Sequence, residues 1–355
     1  MNPTLPSACW KCKPGNNPST ARSPDVTLCF LRPLTITHVD SERAWRGGQQ
    51  SLWTLAQALR ARGHQQIIVC PPDSALAERA RAAGFTVAAQ PSRAGDIVHA
   101  HSGRAQNSAY RATLGSQVRR VVTRHVAFAP SHPLVHRLKY TMTCHGIIAV
   151  SDSVREVLTR AGVPSKKIVV IHTGIELPAL LPHRPHDTFV VGHMGAFTAE
   201  KGQDVAIAAA KLLPRAKFIL AGEGPRLADL RRGAPSNVSF PGFLEDREAF
   251  FASLDLFVMP SRSEAWGLAA LEAMAHGVPV IASNIGGLRE IIEPGRSGWL
   301  FPAGDASALA RTIEEASADP ARLRKTAVAA RERAAHFSIE KMAEQTERFY
   351  RSLLR

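Results

Sequence analysis

The sequence predicts an α/β protein in which two doubly wound, Rossmann-like parallel sheets face each other across a central cleft. Short strands rich in Val, Ile and Leu alternate with amphipathic helices, a pattern typical of parallel sheets with right-handed crossovers. A proline-rich connector, residues 177–185, interrupts this alternation, and a second round follows it. Because ligands of such sheets bind beyond the carboxyl ends of the strands, the cleft is the expected site.

The first round of elements precedes the connector. Its predicted strands are 34–39, 66–70, 85–88, 96–100, 118–123, 146–150 and 167–172, and its predicted helices are 50–62, 75–83 and 153–161. Residues 1–24 contain few hydrophobic and many turn-forming residues, so they are interpreted as a disordered extension.

The second round follows the connector. Its predicted strands are 188–193, 217–221, 238–240, 256–259, 278–282 and 298–301, and its predicted helices are 204–213, 247–253 and 268–275. An amphipathic helix over 338–354 ends the chain. The predicted organisation is therefore an extension (1–24), a first domain (25–178), a second domain (179–337) and a terminal helix (338–355).

Composition excludes several classes of protein. No apolar run approaches the length of a spanning helix, and the N-terminal residues lack the apolar segment of a secretory signal. Five cysteines are too few and too scattered for a disulfide scaffold, so a cytoplasmic protein is expected. Cys9 and Cys12 have the spacing of half a zinc site without a second half, so no metal is expected.

The net charge of +14 is concentrated in the first half of the chain. Residues 1–180 carry 22 of the 44 basic residues but 9 of the 30 acidic ones. No acidic residue stands between Asp96 and Asp152, whereas that window contains Arg104, Arg111, Arg119, Arg120, Arg124, Arg137 and Lys139. Such a face attracts anionic lipid, phosphorylated glycan or nucleic acid, and a plain solvated basic surface is the alternative.

The most informative motif spans residues 263–275 and follows the predicted strand 256–259. The backbone amides of Gly267 and Leu268 are expected to begin a helix and to face an anion. Glu272, on that helix, has two acceptor oxygens that match the vicinal diol of a ribose. Glu264, nearer the opening, is expected to accept from sugar hydroxyls. The alternative is an exposed loop glutamate followed by an ordinary helix glutamate.

A second motif runs from Gly195 to Gly202, after the first strand of the second domain. Lys201 stands before a glycine turn at a helix N-terminus, where an ammonium group suits a phosphate. A solvent-facing lysine is the alternative. Together with the continuation Glu-Ala-Met-Ala-x-Gly-x-Pro-Val, these motifs resemble those of the family 4 (group 1) glycosyltransferases of the GT-B fold.

This resemblance covers about residues 34–350. It implies transfer with retention at the anomeric carbon, no essential metal, a nucleotide diphosphate sugar as co-substrate, Lys201 on the donor pyrophosphate and a terminal helix that crosses back to the first domain. Many members carry an arginine where this chain has Ala196. The phosphate-binding role of that arginine would then fall to Lys201, with Arg262 or Arg289 as further candidates.

The first half also matches the family. Gly47 and Gly48 resemble its glycine-rich loop, which approaches the donor, although a plain helix start would explain them too. Relatives carry a histidine at the position of His101, close to the transferred sugar, so His101 and Glu264 are the predicted catalytic residues. His99 shares a strand face with His101, and either is alternatively a structural histidine. Arg124 and His125 end the next strand and are predicted to face the acceptor.

The prediction is a glycosyltransferase acting on a membrane-associated or cell-envelope acceptor, such as a glycolipid, lipopolysaccharide or other anionic glycan. Peripheral contact with the inner face of the cytoplasmic membrane is expected, and binding of nucleic acid is not, because no basic platform with interleaved aromatic residues is present. Three alternatives remain open: a nucleotide-sugar epimerase, a sugar phosphorylase and a non-catalytic sugar-nucleotide-binding protein.

Overall fold

A computed structural model of the chain describes residues 32–127, 133–182 and 187–355, without the side chains of 133–136. Residues Leu34–Arg355 form one compact unit. The predicted extension 1–24 and the Cys9–Cys12 pair lie outside the described residues. No helix within the described ranges combines the length and the apolarity needed to span a bilayer.

The first sheet has seven parallel strands in the order β3-β2-β1-β4-β5-β6-β7. These strands are β1 (Thr35–Val39), β2 (Gln65–Val69), β3 (Thr86–Ala88), β4 (Ile97–Ala100), β5 (Arg119–Arg124), β6 (Gly146–Ala149) and β7 (Ile168–Val170). The helices of this first lobe are α1 (Gly47–Ala61), α2 (Ala75–Ala82), α3 (Gly103–Thr113), α4 (Pro133–Thr143) and α5 (Asp152–Arg160).

The second sheet has six parallel strands in the order β10-β9-β8-β11-β12-β13. These strands are β8 (Val190–Met194), β9 (Lys217–Ala221), β10 (Val238–Gly242), β11 (Leu256–Met259), β12 (Val280–Ser283) and β13 (Trp299–Phe301). The helices that follow the connector are α6 (Gln203–Leu212), α7 (Leu227–Gly233), α8 (Arg247–Ala252), α9 (Leu268–Ala275), α10 (Leu288–Ile291), α11 (Ala306–Ala318), α12 (Pro320–Ala335) and α13 (Ile339–Leu354).

The order in which successive strands are added reverses once in each sheet. This reversal lies between β1 and β4 in the first sheet and between β8 and β11 in the second. At such a switch point the neighbouring loops leave the carboxyl edge in opposite directions and open a crevice. The predicted fold class, α/β with two doubly wound parallel sheets, is confirmed.

Local sequence explains why the elements form where they do. The central strands β4, β6, β11 and β12 are buried at every position, as expected for strands covered by helices on both faces. Ser102 and Ser151 cap α3 and α5, because each hydroxyl accepts a hydrogen bond from the amide three residues later.

Several helices were absent from the sequence prediction, notably α3, α11 and α12. The buried side of α3 consists of Ala105, Gln106, Ala109 and Thr113, which give little apolar periodicity. Helices that bury small or polar residues leave a weak signal at a period of 3.6 residues. The structure shows that α11 packs on α6, that α12 packs on α9 and that α3 contacts α4.

Helix α13 leaves the second lobe and packs on α1 of the first. Its carboxylate Glu347 accepts from Arg62 at 2.8 Å, and its Tyr350 is fully buried. The Tyr350 hydroxyl hydrogen-bonds Nδ1 of His99 on β4 at 2.6 Å. This helix therefore connects the two lobes a second time, apart from the connector.

We expect Tyr350→Phe to lower the free energy of unfolding by about 1–3 kcal/mol, because it leaves buried His99 Nδ1 without its hydrogen-bond partner. Tyr110→Phe is the control, since Tyr110 is half-buried and none of the hydrogen bonds of the described residues involves its hydroxyl. Urea unfolding of both variants measures the difference. Equal losses in the two variants would refute this role of the bond.

Candidate active site

A cleft of about 790 Å³ opens at the carboxyl edges of both sheets. Its lining comes from the segments after β1, β5, β6 and β7 in the first lobe and after β8, β9, β10 and β11 in the second. Among the predicted site residues, those that line it are Gly47, Gly48, His125, Gly195, Lys201, Glu264, Gly267, Leu268 and Glu272.

Lys201 is placed by the glycine that follows it. Gly202 has a φ of +66°, in the left-handed region, and a Cβ there would collide with the carbonyl oxygen of Pro260. The absence of a side chain lets the loop after β8 approach the end of β11. Lys201 then donates to Oε2 of Glu264 at 2.6 Å.

Helix α9 begins at the wall of the cleft. Gly267 precedes it with a φ of +105°, and no side chain among the described residues caps the helix start. Gly267, Leu268 and Ala269 all line the cleft. The first amides of a helix carry a partial positive charge and lack intrahelical acceptors, so this end of α9 can bind an anion.

Glu272 lies one turn into α9 with its side chain 13% exposed. Nη1 of Arg247, at the start of α8, donates to both carboxylate oxygens at 2.9 and 3.1 Å. Burial raises the pKa of Glu272 above its ordinary value, and the Arg247 guanidinium opposes that rise. The Arg247 guanidinium therefore stabilises the charged form of this carboxylate against the effect of burial.

The first lobe supplies a second helix start. Arg46, Gly47 and Gly48 line the cleft, and Gly47 is the first residue of α1. The Gly47–Gly48 pair is therefore at once a helix start and a cleft wall. Positive ends of two helices, α1 and α9, converge on the same space.

In addition to Lys201, the sequence suggested Arg262 or Arg289 as cations of the cleft, and the structure places other cations there. Arg262 makes two hydrogen bonds with Asp204, at 2.8 and 2.6 Å, and neither Arg262 nor Arg289 lines the cleft. Arg46 and Arg247 line it instead. Ala196, where the family resemblance led us to expect an arginine, also lines the cleft with its methyl group.

A cluster of buried histidines lies behind the first-lobe wall. His38 Nδ1 and His101 Nε2 share a hydrogen bond at 3.0 Å, and the rings of His101 and His99 are 4.1 Å apart. His125 stacks on His101 with centroids 6.0 Å apart and lines the cleft. His101 is 6% exposed and does not line the cleft, so its ring is separated from the open space by His125.

Arg124 differs from its neighbour His125. Its guanidinium donates to the carbonyl of Val126 at 3.2 Å and to the hydroxyl of Tyr140 at 3.1 Å. It does not line the cleft. The structure thus brings His125, but not Arg124, to the predicted acceptor side.

The two lobes also meet beneath the cleft. Glu290 of α10 accepts from the amides of Asp152 and Ser153, at 2.9 and 3.0 Å, and lies 3.2 Å from Nε2 of His172. Although burial raises the pKa of Glu290, these hydrogen bonds outweigh it and hold the pKa below its ordinary value. His172 stacks on the cleft residue Trp266 at 4.5 Å.

Sequence reasoning missed Arg46, Arg247 and Trp266 as cleft residues. Arg46 directly precedes the glycine pair, and Trp266 directly precedes Gly267, so adjacency to a recognised turn was the available signal. Arg247 gave no such signal, because its pairing with Glu272 joins residues 25 positions apart.

Comparison with known proteins agrees with this geometry. Residues 182–334 match the family model of glycosyl transferases group 1, and residues 91–178 match that of glycosyltransferase family 4. D-inositol 3-phosphate glycosyltransferase of Mycobacterium tuberculosis is 32% identical over 192 residues. That alignment covers 47% of this chain and 40% of the relative, so the chain spans less than half the length of this curated relative.

Solved structures show the same fold. Anabaena HepE in complex with UDP and glucose superposes with a TM-score of 0.82 at 22% identity, over 90% of this chain and 100% of HepE. A glycosyltransferase from Rickettsia africae superposes with a TM-score of 0.78 at 21% identity, over 92% of this chain and 100% of the other. These likenesses confirm the predicted GT-B fold.

The buried histidines predict a loss of stability in acid. Burial lowers the pKa of His38 and of His125 from 6.5 to about 4 each, and burial beside other histidines lowers the pKa of His99 and of His101 well below 6.5. The unfolded chain therefore binds more protons between pH 6.5 and 4. Stability is fully present above pH 6.5 and falls toward pH 4, by up to about 3 kcal/mol from His38 alone.

Urea unfolding at a series of pH values measures this slope. We expect His38→Asn to flatten it and the exposed His336→Asn to leave it unchanged, each compared with its own stability at neutral pH. A slope that is the same in all three proteins would contradict the assignment to the buried cluster.

Proposed function

Because the chain belongs to the group 1, family 4 glycosyltransferases, we propose that it transfers a sugar from a nucleotide diphosphate sugar to an acceptor hydroxyl. The observation that carries the proposal is the cleft wall of the second lobe. There the ammonium group of Lys201, the start of α9, uncapped within the described residues, and the carboxylate of Glu272 line one cleft, and these groups suit a diphosphate and a ribose.

The donor half of the site is assigned as follows. Lys201 and the amides at Gly267 and Leu268 bind the diphosphate, and Glu272 accepts from the ribose hydroxyls. Arg247 is released from Glu272 when the ribose binds, and Arg46 approaches the diphosphate from the first lobe. HepE was solved with UDP and with UDP-glucose, so uridine nucleotides are the first donors to test.

The sugar lies between the lobes. Glu264 accepts from its hydroxyls, and His125, backed by His101, forms the opposite wall. In the reaction the bond from the anomeric carbon to the diphosphate oxygen breaks, and its electron pair leaves with the nucleotide. The acceptor oxygen forms the new bond to the anomeric carbon, and its proton passes to an oxygen of the departing diphosphate. Lys201 and the helix start stabilise the charge that develops on the diphosphate, since fixed cations and dipoles in a water-poor cleft act strongly there.

The finer assignments follow from the family resemblance and from charge. We propose transfer with retention, as the family resemblance implies. We also propose that no metal is essential, because protein cations and helix starts line the cleft where the diphosphate would leave. The acceptor is a lipid-linked or envelope glycan with anionic groups, since the acceptor-side half carries almost all of the net charge.

We expect Lys201→Gln to weaken binding of a nucleoside diphosphate by about tenfold to a hundredfold, because one charge-assisted hydrogen bond is lost. Lys211→Gln, an exposed lysine at the end of α6, is the matched control. Calorimetric titration with UDP, GDP and ADP identifies the nucleotide and measures both variants. Equal affinities in the two variants would remove Lys201 from the donor site.

Transfer itself is tested with the labelled nucleotide sugar and a lipid extract as the acceptor source. We expect a glycosylated product in the presence of EDTA, with the anomeric configuration of the donor conserved when the product is examined by NMR. Conversion of the donor into another sugar nucleotide without any acceptor would favour an epimerase instead. Loss of activity that a divalent cation restores would overturn the metal-free assignment.

A further inference from the structure

Helices α3 and α4 lie side by side on the first lobe and share one outer surface. Gln106 of α3 donates to Thr143 of α4 at 2.8 Å, and Lys139 of α4 donates to the carbonyl of Gly103 at 2.8 Å. The outward side chains define what we call the α3/α4 face: Arg104, Arg111, Leu114, Arg137, Leu138 and Met142.

The charge of this face has a single sign. Arg104, Arg111 and Arg137 are exposed, and none of them forms an ion pair with a carboxylate of the described residues. The stretch from 97 to 151 contains no Asp or Glu that would neutralise them. A surface of this kind is attracted to a negatively charged plane.

Large apolar side chains project from the same face. Leu138 and Met142 are one helical turn apart on α4 and are 57% and 65% exposed, and Leu114, just after α3, is 53% exposed. Single exposed leucines are common, but apolar residues on one helix side among arginines have the pattern of an interfacial helix.

The α3/α4 face adjoins the cleft. Helix α3 begins three residues after Ala100 ends β4, and His125 to Ala127, after β5, line the cleft. Both helices therefore start from the sheet edge at which the candidate active site opens. The end of this face at Arg104 therefore lies nearest the acceptor side of the cleft, and Leu114 and Met142 lie toward the opposite edge of the sheet.

We propose that the α3/α4 face docks on an anionic lipid bilayer, with Leu138 and Met142 inserted among the acyl chains and the three arginines at the head groups. Docking presents the cleft to an acceptor carried by that bilayer, and in this respect the inference rests on the proposed function. Leucine and methionine contribute through their transfer out of water, and each arginine contributes through attraction to the lipid charge.

Nucleic acid fits this face less well. Its described side chains include no exposed aromatic ring on which a base could stack, and two aliphatic side chains protrude where a phosphate backbone would lie. The bilayer accommodates both the cations and the aliphatic groups.

The test is sedimentation of the full chain with vesicles of phosphatidylcholine alone or mixed equally with phosphatidylglycerol. We expect binding to the mixed vesicles and little binding to phosphatidylcholine. Arg104→Gln, Arg111→Gln and Arg137→Gln together should weaken binding by roughly a hundredfold. The pair Leu138→Ser and Met142→Ser should weaken it by about tenfold or more.

Matched changes on the second lobe serve as controls. Lys211→Gln, Arg215→Gln and Arg324→Gln remove three exposed cations, and Leu212→Ser with Val328→Ser removes two exposed apolar side chains. These variants should bind mixed vesicles like the original chain. Equal losses in the control and α3/α4 variants, no binding to mixed vesicles, or binding to duplex DNA in place of vesicles would each overturn the inference.

Nucleotide titration separates this inference from the proposed function. All the surface variants should bind the nucleoside diphosphate like the original chain, because none of the altered residues lines the cleft. Vesicle binding through the α3/α4 face in a chain that binds no nucleotide would leave docking supported and the proposed function refuted. Nucleotide binding without vesicle binding would refute docking and leave the proposed function supported.

Discussion

The ion pair between Lys201 and Glu264 joins the loop after β8 to the loop after β11, and the arrangement of the second lobe's cleft wall depends on it. Gly202 permits the approach of the two loops, and the pair then holds an ammonium group beside the start of α9. Because the carboxylate accompanies the cation, the Lys201 ammonium group is part of a charge-balanced pair before any ligand binds. Under the proposed function, a diphosphate would replace this carboxylate as the partner of Lys201, so that one anionic partner is exchanged for another.

Arg247 and Glu272 form a second ion pair of this kind on the same wall. Glu264 and Glu272, the two carboxylates predicted to bind the donor, thus each form an ion pair with a different cation, Lys201 and Arg247 respectively. Each ion pair fixes the position of its carboxylate while no ligand is present. The cleft is preorganised by its own charges.

The sequence was sufficient for those features that depend on local pattern. The alternation of buried strands and helices predicted both sheets, and β9, β11 and α9 begin and end where periodicity placed them. Helices α3, α11 and α12 were missed because their buried sides are rich in alanine and polar residues, which give little contrast with the solvent side.

Site prediction was limited by contacts between distant residues. Motif spacing led to Lys201, Glu264 and Glu272, which line one cleft. The pairing of Arg262 with Asp204, which engages that guanidinium outside the cleft, joins positions 58 apart and had no sequence signal. The position of His101 behind His125 likewise depends on how two neighbouring strands align, and pairing register is a tertiary property.

The contact beneath the cleft has a mechanical consequence. Glu290 receives two amides and a histidine from the other side of the molecule, and the stacked Trp266 lies directly above. A charged group held by three donors resists separation more than the open rim does. An opening of the cleft that preserved these bonds would therefore widen the mouth and leave the base closed, with the contact at Glu290 as its pivot.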